Sequence, residues 1–182
     1  MALPTRIYLT GFMASGKSTV GPILANVLGY AHADLDARIE AQVGRPIPAY
    51  FAEAGEAAFR RAEAEALTAT TREERLVVAT GGGALTREAN LALALAHGAV
   101  VYLYVEPERL ARRLQRTAAQ RPLLHGADGQ PLPPEALRRR VFSLLEARAP
   151  FYERAHLTID TTRQRLGHTV DAVAQQLRSW DR

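Results

Sequence analysis

Nine residues constrain this chain more than any others: positions 11–19 read GFMASGKST and match the pattern G-x-x-x-x-G-K-S/T. An apolar run, IYLT at 7–10, leads into them. Behind them Val20, Ile23, Leu24, Val27 and Leu28 recur at i, i+3, i+4, i+7 and i+8, an amphipathic helix that Gly29 should end. A strand that turns through glycines into a helix aims successive backbone N–H groups into one concavity. The positive end of the helix lies behind them. That arrangement suits a polyphosphate, with Gly11, Ala14, Ser15, Gly16, Lys17, Ser18 and Thr19 around it. Lys17 would meet the β- and γ-phosphates of ATP, and the Ser18 hydroxyl would ligate Mg²⁺. Lys17 is also the only lysine in a chain with 22 arginines. A guanidinium is too wide for the hole in such a loop and spreads its charge over a fork, so the site keeps a compact ammonium on a thin stem.

The rest of the chain alternates short apolar runs with helical patterns, as βαβ units around a parallel sheet do. Strands are predicted at IYLT (7–10), YAHAD (30–34), LVVAT (76–80), VVYLYV (100–105) and LTID (157–160). Near-continuous apolar strands such as VVYLYV fit a sheet covered on both faces. Further helices are expected from Gly55 through GEAAFRRAEAEAL, and over 88–96, 106–117, 134–149 and 168–179. Pro22 lies inside the first helix and predicts a local bend there. Residues 117–135, rich in Gly and Pro, read as a long surface loop that moves as a lid when nucleotide is absent.

With 182 residues and no repeat or linker-like boundary, the expectation is one domain with a sizeable core. The absence of cysteine excludes disulfides, thiolate catalysis and Cys-based metal sites. No signal peptide or membrane span is evident, and cytoplasm is the default. A net charge of +4 invites a nucleic-acid reading. The arginines, however, mix with glutamates along apparent helices, and the sparse aromatics do not interleave with basic residues as a base-stacking surface requires.

Three further motifs narrow the chemistry. In ADLDARIE, Asp34 and Asp36 follow the second strand, where parallel strands open into a ligand crevice. They can hold Mg²⁺ waters or accept a proton from an attacking hydroxyl; they equally suit a helix N-cap and a first-turn acid. GEAAFRRAE sets Arg60 and Glu63 at i, i+3 on one helical face. VVATGGGA puts Gly81, Gly82 and Gly83 directly after a strand, where missing side chains let backbone N–H groups meet a ligand.

Taken in order, GFMASGKS, DLD, GEAAFRRAE, GGG, RPLL (121–124) and RAPFY (148–152) resemble the shikimate kinase family from about residue 7 to 164. The resemblance implies a three-layer α/β P-loop fold of the nucleoside monophosphate kinase type. Its central parallel five-stranded sheet would be flanked by helices, with a substrate-binding region at about 34–63 and a lid at about 113–135. It implies a monomer that phosphorylates the 3-hydroxyl of shikimate with MgATP, with no nucleic-acid or membrane partner. Asp36 would bind the shikimate hydroxyls and either remove the proton or orient the hydroxyl, and Asp34 would hold Mg²⁺ through water. Arg60 and Arg148 would grip the substrate carboxylate, with Glu63 orienting Arg60. The N–H groups of Gly81, Gly82 and Gly83, chiefly Gly82, would contact the ring. Arg121 would reach the transferring phosphates. The adenine would lie between Arg113 and the loop at Arg163 and Gln164. A longer spacer before RPLL leaves Arg112 and Arg116 as alternatives to Arg113, and Pro46 and Pro48 stiffen the segment ahead of GEAAFRRAE.

Overall fold

The computed structural model describes residues 3–180. Five strands, β1 (Arg6–Thr10), β2 (Ala31–Asp34), β3 (Leu76–Ala79), β4 (Ala99–Tyr104) and β5 (Leu157–Asp160), form one parallel sheet in the order β2-β3-β1-β4-β5. All five predicted strands are present, with ends moved by a residue or less. Every residue of β3 is buried, as is every residue of β1 after Arg6 and of β4 before Tyr104. Their alternating side chains therefore feed two cores, one on each face.

Seven helices cover the sheet: α1 (Lys17–Leu28), α2 (Leu35–Val43), α3 (Ile47–Thr70), α4 (Glu88–His97), α5 (Pro107–Gln115), α6 (Pro134–Tyr152) and α7 (Leu166–Arg178). On one face, Ile7, Leu9, Val101 and Leu103 pack with Leu24 of α1 and Val173 of α7. On the other, Tyr8, Val78 and Val100 meet Leu35 and Ile39 of α2, Leu67 of α3 and Leu91 of α4. A third cluster lies beyond the carboxyl ends of the strands, where Phe12 and Tyr102 join Leu110 and Leu114 of α5 and Val141 and Tyr152 of α6. Among the described residues no helix is long and apolar enough to cross a membrane.

Several expectations are corrected by these contacts. Ile23 and Val27, read as core positions of α1, are 39% and 46% exposed. The buried stripe is Lys17, Val20, Gly21, Leu24, Ala25 and Leu28, because Gly21 gives room to His32 of β2. A Cβ at Gly21 would lie 2.7 Å from the His32 Nε2. Helix α1 runs through Pro22 and ends at Gly29 in the left-handed conformation. Residues 117–135 are more than a surface loop. Two short 3₁₀ turns, Ala118–Gln120 and Pro122–Leu124, lead to a single bridge between His125 and Pro131. Leu124 is fully buried in the third cluster, an anchor between α5 and α6.

The helix expected from Gly55 is present, preceded across a break at that residue by further helical turns from Ile47, and α2 adds a helix that was read only as a possible cap. Gly55 kinks α3 with φ 79° and ψ 173°, a backbone region open essentially to glycine. The kink sets the direction from which Arg60 and Glu63 approach the sheet. No heavy atom lies within 4 Å of a Cβ built there, so backbone strain alone distinguishes alanine from glycine. Gly55→Ala should therefore cost about 1–3 kcal/mol of stability. Chemical denaturation measures this, and an unchanged midpoint would show that the kink is not imposed by this residue.

Candidate active site

The loop between β1 and α1 is shaped by residues that accept positive φ: Gly11 at 140°, Ala14 at 62° and Gly16 at 101°. Gly11 is required twice, since a Cβ would also lie 2.7 Å from the Leu103 carbonyl oxygen of β4. The loop closes on itself through Ser15 N–H to Phe12 O at 3.2 Å. Gly16 caps α1 without a side-chain bond, and no acidic residue occupies the first turn. The positive end of this helix is thus left to an outside anion. Inside the loop the Lys17 ammonium donates to Gly11 O (2.7 Å), Phe12 O (2.9 Å) and Ser15 Oγ (3.4 Å). Burial lowers its pKa to about 8, against the opposing pull of Asp36. Ser18 and Thr19 stay exposed at the mouth.

Asp34 ends β2 and caps α2, its Oδ1 accepting from the N–H groups of Asp36 (3.0 Å) and Ala37 (3.3 Å). Two residues on, Asp36 is open to solvent at the cleft, yet crowded by protein and by the Asp34 and Glu63 carboxylates. Desolvation, then these like charges, raise its pKa to about 6, and Lys17 pulls the other way. A Cβ on Gly81 would lie 2.7 Å from Asp36 Oδ1, and one on Gly82 would lie 3.3 Å from Met13 N. One on Gly83 would lie 3.3 Å from Arg60 Nη1 and 3.9 Å from Arg148 Nη2. The three glycines thus touch, in turn, the acidic pair, the phosphate loop and the arginine pair.

Arg60 Nη1 donates to Glu63 at 3.0 and 3.3 Å, and its Nε and Nη2 reach Glu56 at 3.4 Å. Glu63 is 2% exposed and burial raises its pKa, opposed chiefly by Arg60. Arg148 lies over the Phe12 ring at 5.5 Å and donates to Gly82 O at 3.3 Å. Arg121, half-buried, reaches only Thr117 Oγ1 at 3.4 Å, and burial lowers its pKa. Arg113 is placed on the phosphate loop, donating from Nη1 to Ala14 O at 3.0 Å. Arg109, Arg112, Arg113, Arg116 and Arg163 line a cleft of about 620 Å³. A neighbouring hollow of about 440 Å³ is bounded by Tyr104, Asp160, Arg163 and Gln164. Thr162 fixes that loop by accepting the Glu106 N–H at 2.9 Å.

The sequence reading missed three of these contacts. Phe12 under Arg148 carries no sequence signal, and neither does the Arg113 bond to Ala14. The Tyr152 hydroxyl donates to Gly82 O, and its spacing of four residues from Arg148 on one helix face was there to be read.

A phosphate loop beside a carboxylate, with arginines gathered at the carboxyl edge of a parallel sheet, defines a P-loop kinase. The comparisons with known proteins carry this to a family. The model of the shikimate kinase family matches residues 13–179. The shikimate kinase of Salinibacter ruber is 48% identical over 176 residues, 95% of this chain and 86% of that protein. The crystal structure of the Acinetobacter baumannii shikimate kinase in complex with shikimate superimposes with a TM-score of 0.85 at 36% identity, over 96% of this chain and 93% of that one. That from Bacteroides thetaiotaomicron gives 0.86 at 34% identity, over 96% and 99%. The chain belongs to the shikimate kinase family, phosphotransferases with an alcohol group as acceptor.

The contact of Gly81 with Asp36 has a direct consequence. Gly81→Ala should fold and bind nucleotide but push the carboxyl aside by several tenths of an ångström or more, lowering kcat/KM for the acceptor about 10²-fold. Steady-state kinetics check this, and a near-native value would mean that Asp36 is free to move.

Proposed function

We propose that this protein transfers the γ-phosphoryl group of ATP to the 3-hydroxyl of shikimate, giving shikimate 3-phosphate and ADP. The observation that carries the reading is the meeting of Asp36, Arg60 and Arg148 around three glycines that abut the phosphate loop. Only an acceptor bearing both an anionic group and a hydroxyl makes use of all of them. Residues 34–63 take the acceptor and 113–135 close over the nucleotide as a lid, within one kinase domain.

In this reading Arg60 and Arg148 bind the acceptor carboxylate, where a planar fork matches two oxygens. Glu63 holds Arg60 in place through two hydrogen bonds. The N–H groups of Gly82 and its neighbours take ring hydroxyls. Asp36 accepts the proton as the hydroxyl oxygen forms its bond to the γ-phosphorus and the bond to the β-phosphate oxygen breaks. Lys17 and Arg121 stabilise charge on the transferring group, and Gly11, Ala14, Ser15, Gly16 and Thr19 line the loop that positions it. Arg163 and Gln164 border the adenine, with an arginine of α5 opposite. Arg113, held in plane by its bond to Ala14 O, keeps its guanidinium face for the base, and Arg112 and Arg116 line the same cleft.

The exposed Ser18 hydroxyl and the Asp34 oxygen not engaged in capping are hard oxygen donors that fit Mg²⁺. Among the described residues no cluster of three His, Asp or Glu could hold a metal alone, which accords with an ion carried in by the nucleotide phosphates. Bound there, Mg²⁺ would neutralise charge on the β- and γ-phosphates. We further read the protein as a cytoplasmic monomer.

ADP release measured in parallel with shikimate, gluconate and nucleoside monophosphates tests the acceptor: turnover with shikimate alone is expected, and a preference for either of the others would overturn it. The protonation of Asp36 gives a second test. With the carboxyl pKa raised to about 6, the base is lost as pH falls through that value, so kcat/KM for shikimate should drop about tenfold per pH unit below it. A profile flat to pH 5 would remove Asp36 as the base.

A further inference from the structure

Three consecutive glycines form the most freely rotating backbone a chain can offer, yet the acceptor reading requires their N–H groups to point in fixed directions. Something outside them must hold them. The Gly82 carbonyl has two donors: the Tyr152 hydroxyl, at very short range, and Arg148 Nη1 at 3.3 Å. Both come from one face of α6, four residues apart. Tyr152 is 1% exposed and stacks on Tyr102 with centroids 5.1 Å apart and planes 25° apart. Its ring is therefore fixed, and so is the direction of its hydroxyl. Burial pushes that phenol up to about 12, so it stays a donor at any pH the protein meets.

The peptide linking Gly82 to Gly83 is trans, since the described chain has no cis bonds. Its N–H, that of Gly83, must then point opposite to the carbonyl that Tyr152 holds. That N–H meets no acceptor among the described residues. A side chain begun at Gly83 would run into Arg60 and Arg148, the two groups assigned to the acceptor carboxylate. We infer that the Tyr152 hydroxyl is a positioning group for acceptor recognition: by holding the Gly82 carbonyl it fixes the plane of the Gly82–Gly83 peptide beside the two arginines and leaves Arg148 free to bind the acceptor. This rests on the acceptor reading above and adds to it a residue. Without the hydroxyl, Arg148 alone would restrain the carbonyl, and every contact it made there would compete with substrate.

Tyr152→Phe keeps the ring, its stacking and its volume, and removes only the donor. Tyr102→Phe is the matched comparison, removing a hydroxyl from the same stack but not from Gly82. For Tyr152→Phe the KM for shikimate should rise about tenfold, the size expected when a buried carbonyl loses its partner, with kcat and the KM for ATP within about twofold of wild type. Tyr102→Phe should leave all three unchanged. The inference is overturned if the KM for shikimate does not move, if both Michaelis constants rise together, or if Tyr102→Phe does the same. A Tyr152→Phe protein that fails to fold, judged by its melting curve, would assign the hydroxyl to stability and overturn it too. Wild-type protein inert toward shikimate would sink the acceptor reading and this inference with it, and that result needs no variant to recognise.

Discussion

The Lys17 ammonium is buried with no carboxylate bonded to it, held by the carbonyl oxygens of Gly11 and Phe12 in the loop that surrounds it. Those carbonyls turn inward only because Gly11 and Gly16 take positive φ, and Gly11 can be nothing larger because β4 passes directly behind it. The fold therefore reaches the site through a steric contact: β1 and β4 must be adjacent for the loop to have this shape. Phe12, the next residue, carries the constraint outward, since its ring anchors the third core cluster and lies under Arg148. Core packing and the placement of Arg148 share one side chain here, so that arginine has little freedom to drift relative to the sheet.

Charge is arranged around that loop with few direct ion pairs. Exposed arginines elsewhere are matched to glutamates, as in Arg38–Glu73, Arg138–Glu108 and Arg154–Glu88, pairs that contribute little in solvent. Among the described residues of the cleft Arg60 alone is paired, with the buried Glu63 and the exposed Glu56. Arg121 and Arg148 bond to a hydroxyl and a carbonyl, and Asp36 faces a glycine. Unpaired, partly desolvated cations are costly to keep unless anions arrive to meet them. This uneven distribution, more than the net charge of +4, is what a site for two anionic substrates requires.

The sheet was legible because its central strands β1, β3 and β4 are short, apolar and each flanked by a glycine, and the phosphate loop because its spacing follows from backbone geometry. Local periodicity misled where tertiary contacts decide. Ile23 and Val27 fit a helical stripe, but the rotation of α1 is set by Gly21 against His32, a long-range contact invisible in the pattern. Residues 117–135 have the composition of a loop, and Ala118 and Leu124 tie them into the core. The kink at Gly55 hid the first turns of α3, because glycine and proline on both sides read as breakers. At the site the sequence marked residue types well and partners poorly. Arg113 has the chemistry to stack on a base, and only the structure puts it on Ala14.

Two opposed pKa shifts describe the cleft. Lys17 is lowered to about 8 and Asp36 raised to about 6, chiefly by desolvation in both cases. Each group is pushed toward its neutral form, although phosphoryl transfer needs both charged. A polyphosphate in the loop would replace carbonyl partners of Lys17 with anionic oxygens and draw its pKa back up. The Asp36 carboxylate feels Lys17 directly, so an ammonium kept charged by nucleotide also favours the ionised base. Nucleotide binding would thus prepare the acceptor side electrostatically, through one lysine. An arginine at position 17 would stay charged regardless and could not transmit that change, a second reason, beside its width, for the single lysine in this chain.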